Sequence, residues 1–136
     1  MITVDNPIGK IFERWSAAVE TEVGAGHYST DVSLTEIKTP YARLLFMGMP
    51  FTNGDLEGNE ASVELDVQID CFASGDKSLS KVYQIDAVSH QAMRDMGFRR
   101  TYGPELMRNA DESIKRTVSR YTTIYTGYLL NESEEA

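Results

Sequence analysis

Three acidic side chains on one predicted strand come closest to a group that could do chemistry. Glu64, Asp66 and Asp70 have even spacing, so they project from one strand face and could together hold a divalent cation. The alternative is an ordinary exposed acidic face. A nuclease-like site would also need a lysine close by on that strand, and the strand has none. We therefore expect an exposed acidic face and assign no metal ligand.

The other residue types that carry chemistry lack the spacing that catalysis or metal binding requires. His27 and His90 fall on different predicted elements, so zinc has no ligand set. The Gly-Ala-Gly segment at 24–26 lacks the preceding strand of a dinucleotide-binding loop. Cys71, the single cysteine, falls on the apolar phase of its strand, where a free thiol packs as a small hydrophobic group. We expect no catalytic residue, no metal and no cofactor, and a protein that is not an enzyme.

The stretch 61–98 contains most of these residues, and its patterns predict a strand, a turn, a helix and the start of another strand. Apolar and polar residues alternate from Val63 to Cys71, which indicates a strand with one buried face. A turn follows at 74–76, and Gly97 stands where a helix usually ends. Between these points apolar residues recur at helical spacing: Leu79, Val82, Ile85, Val88, Met93 and Met96.

The flanking segments predict a second helix and further strands. Apolar residues at helical spacing indicate a helix from Ile8 to Val23, whereas 27–40 shows no clean period. Strands are predicted at 41–47, at 98–107 with an interruption at 103–104, and at 113–128. The order α-β-β-α-β-β predicts an α+β fold, with two helices packed on an antiparallel sheet of about four strands. We expect residues 1–130 to form one domain and the acidic segment 131–136 to fray.

The last predicted strand has an irregular pattern. Arg116 and Arg120 share parity with the apolar residues Ile114 and Val118, so charged and apolar side chains fall on one face. Two explanations stay open at this point: a β-bulge in the strand, or burial of the arginines at a contact between subunits.

The charge of the chain is negative overall but unevenly distributed. A formal net charge of −8 argues against a protein whose main task is to grip nucleic acid through its phosphates. Seven of the 13 Lys and Arg residues, however, lie between Arg94 and Arg120, against four acidic residues. This excess indicates either a solvated hairpin with internal salt bridges or an electrostatic contact with an acidic surface, such as another copy of the chain.

The segment 48–59 contains three glycines, which predicts a long loop, yet it also carries large apolar side chains. These side chains either fold back onto the core or contact a partner. Together with the basic hairpin, they give the predicted partner interface: Met49, Phe51, Leu56, Arg99, Arg100, Arg116 and Arg120.

The central and final stretches together resemble a known family. An alternating strand, VELDVQIDCFA, leads into the helix KVYQIDAVSHQAM, followed by MGFRRTYGPEL, an acidic turn and IKRTVSRYTTIYTG. This succession, from Val63 to Gly127, resembles the tail terminators, or tail completion proteins, of long-tailed bacteriophages. That family has no catalytic motif to transfer to this chain.

The resemblance implies a structural virion protein at the head-proximal end of the tail, made in the host cytoplasm during assembly. Such proteins cap the completed tail tube as a hexameric ring, stop its polymerisation and provide the surface for head–tail joining. The implied partners are other copies of the chain, the tail-tube protein and the head–tail connector protein. DNA would pass through the lumen without specific binding. No membrane is implied, and no apolar run approaches the roughly 18 residues of a span.

Two alternatives accompany this interpretation. Within the same class, the chain would be another head–tail connector component or a tail-tube subunit. In a different class, it would be a small ligand-binding or catalytic α+β domain that acts alone. Oligomeric state and co-purification with tail tubes separate these possibilities.

Overall fold

A computed structural model describes residues 7–30, 38–48, 51–52, 62–108, 113–126 and 129–131. Two helices and six strands follow each other along the chain. They are α1 (Ile8–Val23), β1 (Tyr28–Ser29), β2 (Tyr41–Gly48), β3 (Phe51–Thr52), β4 (Ser62–Ser74), α2 (Ser78–Asp95), β5 (Arg99–Met107) and β6 (Ile114–Tyr125). Neither helix is long and apolar enough to cross a bilayer, within these ranges.

The strands form one sheet in the order β1-β2-β4-β6-β5, and β3 also pairs with β4. All pairs are antiparallel except β1 with β2, which run parallel. The predicted α+β fold, with two helices and a sheet, is therefore confirmed. The sheet differs slightly from the predicted antiparallel sheet of about four strands, because it contains two further short strands and one of its pairs is parallel. The two additional strands have only two residues each, and a strand that short produces no period in the sequence.

One face of the sheet packs against both helices. Alternate residues of β4 from Val63 to Ala73, including Cys71, are buried there with the apolar stripe of α1. Trp15 of α1 is fully buried, and its indole N–H donates a hydrogen bond of 2.8 Å to the Ser89 hydroxyl of α2. This bond joins the two helices inside the core and satisfies the polar atom of the indole.

The buried face of α2 differs from the predicted one. Val82, Ile85 and Met93 are buried as expected, but Leu79 is 49% exposed. Asp86 and Ser89 are buried instead. Each has a hydrogen-bond partner on another element, Ser119 of β6 for Asp86 and Trp15 of α1 for Ser89. The face is therefore part polar, and its orientation follows these polar contacts as well as the apolar residues.

The strands β4 and β6 pair without a register shift from Val63–Tyr125 to Ser74–Ile114. A bulge in β6 therefore does not explain why Arg116 and Arg120 fall on the same strand face as Ile114 and Val118. The shifts occur in the neighbouring edge strand instead, between Arg100 and Tyr102 and between Tyr102 and Glu105. The predicted interruption at 103–104 is thus a register shift within one strand, and such irregularities are common at sheet edges.

Gly103 has a structural reason to lack a side chain. Its φ is +88°, and a Cβ atom placed on it would lie 2.3 Å from the carbonyl oxygen of Val118. Gly9 in α1 provides a contrast, because a Cβ atom there would meet no atom within 4 Å.

We expect Gly103→Ala to lower the free energy of unfolding by about 2 kcal/mol or more, because it adds both backbone strain and a steric clash. Urea unfolding followed by circular dichroism would measure the change. The matched control is Gly9→Ala, which should be neutral or raise stability by up to about 1 kcal/mol through helix propensity. Equal effects at the two positions would contradict the proposed close approach of β5 to β6.

Candidate functional site

We call the sheet face turned away from the helices the outer face. Its residues are identified by strand alternation and register. On β4 they are Glu64, Asp66, Gln68, Asp70 and Phe72, and on β6 they are the residues from Ile114 to Ile124 with the same parity. The predicted acidic face and most of the predicted interface arginines therefore share one surface.

Asp70 does not behave as the exposed carboxylate that the alternation predicted. It is fully buried, and Arg43, directly opposite on β2, donates to its Oδ2 atom from Nη2 at 2.6 Å and from Nε at 3.3 Å. Arg116 donates to the same oxygen at 3.3 Å, and Gln68 donates to Oδ1 at 3.0 Å. The expectation of an exposed acidic strand face is therefore wrong at Asp70, because two arginines on neighbouring strands cover it.

Phe72 provides the apolar base for this ion pair. The guanidinium carbons of Arg43 and Arg116 lie 5.4 Å and 5.9 Å from its ring centroid. This stacking holds both side chains close to the sheet while their charges meet Asp70. The Nε atom of Arg116 is buried and has no hydrogen-bond partner among the described residues.

Arg120 extends the contacts toward the sheet edge. Its Nε donates to the Gln68 side-chain oxygen at 3.1 Å, and its guanidinium carbon lies 5.6 Å from the ring centroid of Tyr102. The Tyr102 hydroxyl in turn donates to Glu105 at 2.6 Å. We refer to Arg43, Arg116, Arg120, Asp70 and Gln68 as the arginine network.

The remaining acidic residues of β4 lie nearer the start of the strand. Asp66 accepts a hydrogen bond of 2.7 Å from the Thr122 hydroxyl. A hydrogen bond between Glu64 and Asp66, and then the charge of Asp66, raise the pKa of Glu64. Within the described ranges, no group of three or more His, Cys, Asp or Glu side chains is arranged to hold a metal ion.

A second polar cluster lies on the inner, helix-covered side of the sheet. Arg100 of β5 donates to Asp86 of α2 at 2.8 Å, and Ser119 of β6 donates to the other carboxylate oxygen at 2.9 Å. Asp86 is only 4% exposed, so these bonds compensate for its loss of water. The sequence pattern did not reveal this cluster, because its members are separated along the chain and interrupt the apolar periods.

The hydrogen bonds of this inner cluster define where its protons lie. The Tyr121 hydroxyl accepts from Nε and Nη2 of Arg100 at 3.1 Å and 2.7 Å, so its own proton is directed to Nδ1 of His90, at 3.1 Å. Burial raises the pKa of Tyr121 to about 12, so the hydroxyl keeps that proton near neutral pH. Burial, and then the charge of Arg100, lower the pKa of His90, which favours the neutral ring with Nδ1 as acceptor.

The structure separates the predicted interface residues into groups. Arg116 and Arg120 belong to the arginine network, and Arg99 is exposed on the same outer face. Arg100 instead has its partners in the inner cluster. The backbone of Phe51 pairs with Val63, so part of the predicted loop is a strand.

Two of the predicted interface residues, Met49 and Leu56, lie outside the described residues. Sequence reasoning also missed Arg43, which lies inside an otherwise apolar strand. The spacing of β2 could have identified Arg43, because residues two apart on a strand share a face and Arg43 therefore lies on the same face as Tyr41 and Leu45.

The described residues carry a charge opposite in sign to that of the whole chain. All 13 Lys and Arg residues fall within them, but only 10 of the 21 Asp and Glu residues do. Subtracting one from the other leaves +3, and the remaining 11 acidic residues belong to the other segments. The excess negative charge of the sequence is therefore confined to those segments.

Comparison with known proteins supports the fold. No family model matches the sequence, and a search of curated proteins also finds no match. Among solved structures, a chain of the "Virion of native gene transfer agent (GTA) particle" is similar, with a TM-score of 0.59 and 13% sequence identity. The similarity covers 86% of this chain and 92% of that chain, so the two share a fold over nearly their whole lengths.

The inner cluster leads to a prediction about stability. We expect Asp86→Asn to lower the free energy of unfolding by about 3 kcal/mol, because it leaves the Arg100 charge without its buried partner. The ion pair between Lys81 and Glu22, at 3.2 Å, is more exposed than that of Arg100 with Asp86 and provides the control. Glu22→Gln should cost less than about 1 kcal/mol. Equal losses for the two variants, measured by urea unfolding, would contradict the structural importance of the cluster.

His90 leads to a prediction about pH. Because its pKa is lowered on folding, the unfolded chain binds more protons once the pH falls below the ordinary value of 6.5. The contribution of His90 to stability is therefore complete above pH 6.5 and is lost as the pH falls toward the pKa of the folded state. Unfolding free energies at pH 7.5 and 5.5 should show a smaller acid-induced loss for His90→Gln than for the wild type. The same loss in both proteins would exclude this role.

Proposed function

We propose that this protein is a structural virion protein of the tail-terminator type. In this role it closes the finished tail tube as a hexameric ring, stops further polymerisation and presents the surface to which the head is joined. Its partners are further copies of itself, the tail-tube protein and the head–tail connector protein, and DNA passes through the lumen without specific binding. It acts without catalysis, at the head-proximal end of the tail, after synthesis in the host cytoplasm.

The observation that carries this proposal is the fold shared with a chain of a virion particle, over nearly the full length of both chains. The resemblance of 63–127 to tail terminators supports the same class of protein through its sequence patterns.

The surface of the sheet supports an assembly role. On the outer face Tyr102 is 39% exposed, with its ring stacked near Arg120, and Ile124 is 52% exposed further along β6. Protein interfaces are enriched in aromatic residues and arginine. The outer face thus combines the residue types that a contact with other virion proteins uses.

The fold similarity agrees equally with a head–tail connector component or a tail-tube subunit. These alternatives differ in position: a tube subunit occurs along the whole tail, whereas a terminator occurs once, at one end. A small ligand-binding domain that acts alone would not co-purify with tails.

We expect tails assembled without this protein to have irregular lengths and to remain unjoined to heads, because nothing ends polymerisation. Electron micrographs would measure the length distribution, and gold-labelled antibody would locate the protein at one end of normal tails. Tails from cells that regain the wild-type protein serve as the control. Label along the whole tube would replace the proposal with a tube subunit, and joined tails of normal length without the protein would exclude a terminator.

A further inference from the structure

We infer that a proton on His90 detaches the edge strand β5 from the rest of the fold. The inner cluster is then an acid-sensitive attachment of this strand. It holds β5 in place while the His90 ring is neutral and releases β5 when the ring is charged. The inference concerns the folded subunit itself, so it goes beyond the proposed function and does not depend on it.

The strand β5 is attached to the fold by few side chains. None of its nine residues is buried, and among the described strands it pairs only with β6, in a register that shifts twice. Segments with little buried apolar surface open at the lowest cost in free energy. The attachment of β5 therefore depends strongly on its polar contacts.

Arg100 makes the polar side-chain contacts of β5 on the helix-covered side of the sheet. Its guanidinium donates to Asp86 of α2 at 2.8 Å and to the Tyr121 hydroxyl of β6 at 2.7 Å and 3.1 Å. Its guanidinium carbon also lies 5.3 Å from the centroid of the Tyr121 ring. One side chain thus joins β5 to both α2 and β6.

The hydrogen bonds of the Tyr121 hydroxyl leave no place for a further proton. Its oxygen accepts two bonds from Arg100, and its own proton is donated to Nδ1 of His90 at 3.1 Å. When Nδ1 carries a proton, it becomes a donor and no longer accepts. Two donors then face each other, so at least one hydrogen bond of the cluster must break.

A charged His90 also repels Arg100. Both side chains contact the same hydroxyl oxygen, and two positive charges that close repel each other strongly when they are partly removed from water. Arg94 of α2 adds a further positive charge near the His90 ring, whereas Asp86 is the negative group that opposes it. Asp86 is already bonded to Arg100 and Ser119, so it does not relieve the repulsion fully.

The other elements packed on α2 bring no compensating charge close to His90 within the described residues. Cys71 of β4 is fully buried, and burial raises the pKa of its thiol, so it stays neutral. Glu22 of α1 is paired with Lys81, which lies nine residues before His90, or about 13 Å along the helix. The charge of His90 therefore acts mainly on Arg100, and through it on β5.

The direction of the effect follows from the His90 pKa. Burial, and then the charge of Arg100, lower this pKa below its ordinary value of 6.5 while β5 is attached. When β5 detaches, the ring gains water and loses the neighbouring charge, so its pKa returns toward 6.5. The detached state therefore binds the proton more tightly, and its population grows as the pH falls below 6.5.

Amide hydrogen exchange resolved by NMR tests the inference. At pH 7.5 we expect protection factors of the β5 amides about tenfold or more below those of the β2–β4 amides, because β5 opens without the rest of the sheet. Between pH 7.5 and 5.5 the β5 protection factors should fall by about threefold or more. Protection of β5 that equals that of β2–β4, or that does not change with pH, would overturn the inference.

Two histidine variants form a matched pair for this experiment. His90→Gln keeps an acceptor for the Tyr121 hydroxyl but does not titrate, so the pH-dependent fall of β5 protection should disappear. His27→Gln replaces the other histidine, whose Nδ1 lies 3.0 Å from the Pro40 carbonyl oxygen, and should keep the full fall. A fall that persists in His90→Gln, or that is lost in His27→Gln, would contradict the role of His90.

An NMR titration of the wild type gives a result even where His90→Gln does not fold. The ring signals of His90 and the amide signals of β5 should change with one common midpoint below pH 6.5. A ring that stays neutral down to pH 5, or that titrates without a response in β5, would exclude the inference. None of these measurements bears on whether the protein is located at the end of tails, so the two proposals are tested separately.

Discussion

The unbroken pairing of β4 with β6 is the constraint on which the rest of the structure depends. A slip of one residue would exchange the two faces of a strand, placing charged residues in the core and apolar residues in water. The observed register puts Val67 and Tyr121 on the helix side and Gln68 and Arg120 on the other. The inner cluster and the arginine network therefore exist together, as two consequences of one register.

This constraint also explains why the irregularities lie elsewhere. β5 lies at the edge of the sheet and pairs only with β6. Both register shifts of this pair lie in β5, and one of them is beside Gly103. A shift in β6 itself would have displaced Ser119 from Asp86 and Arg116 from Asp70 at once. The edge strand can be irregular because it affects fewer partners than a central strand does.

Sequence patterns predicted the long elements well, because their periods extend over many residues. The α1 stripe, the alternation of β4 from Val63 to Ile69 and the burial of Cys71 are confirmed. The two-residue strands were not predictable, since neither contains a full period. Polar residues on buried faces were also missed, because Asp86 and Ser89 interrupt the pattern and their partners are distant in sequence. Arg43 likewise reaches Asp70 across 27 positions, a contact that only the sheet creates.

The hydrogen bond between Trp15 and Ser89 has a spectroscopic consequence. Trp15 is the single tryptophan, and it sits fully buried between the two helices rather than on a strand. Its fluorescence emission should be blue-shifted in the native protein and should move to longer wavelength when α1 separates from α2. Because no other indole contributes, this intrinsic signal reports on the helical layer specifically. Comparison with a strand-sensitive probe can then show whether the helices and the sheet unfold together.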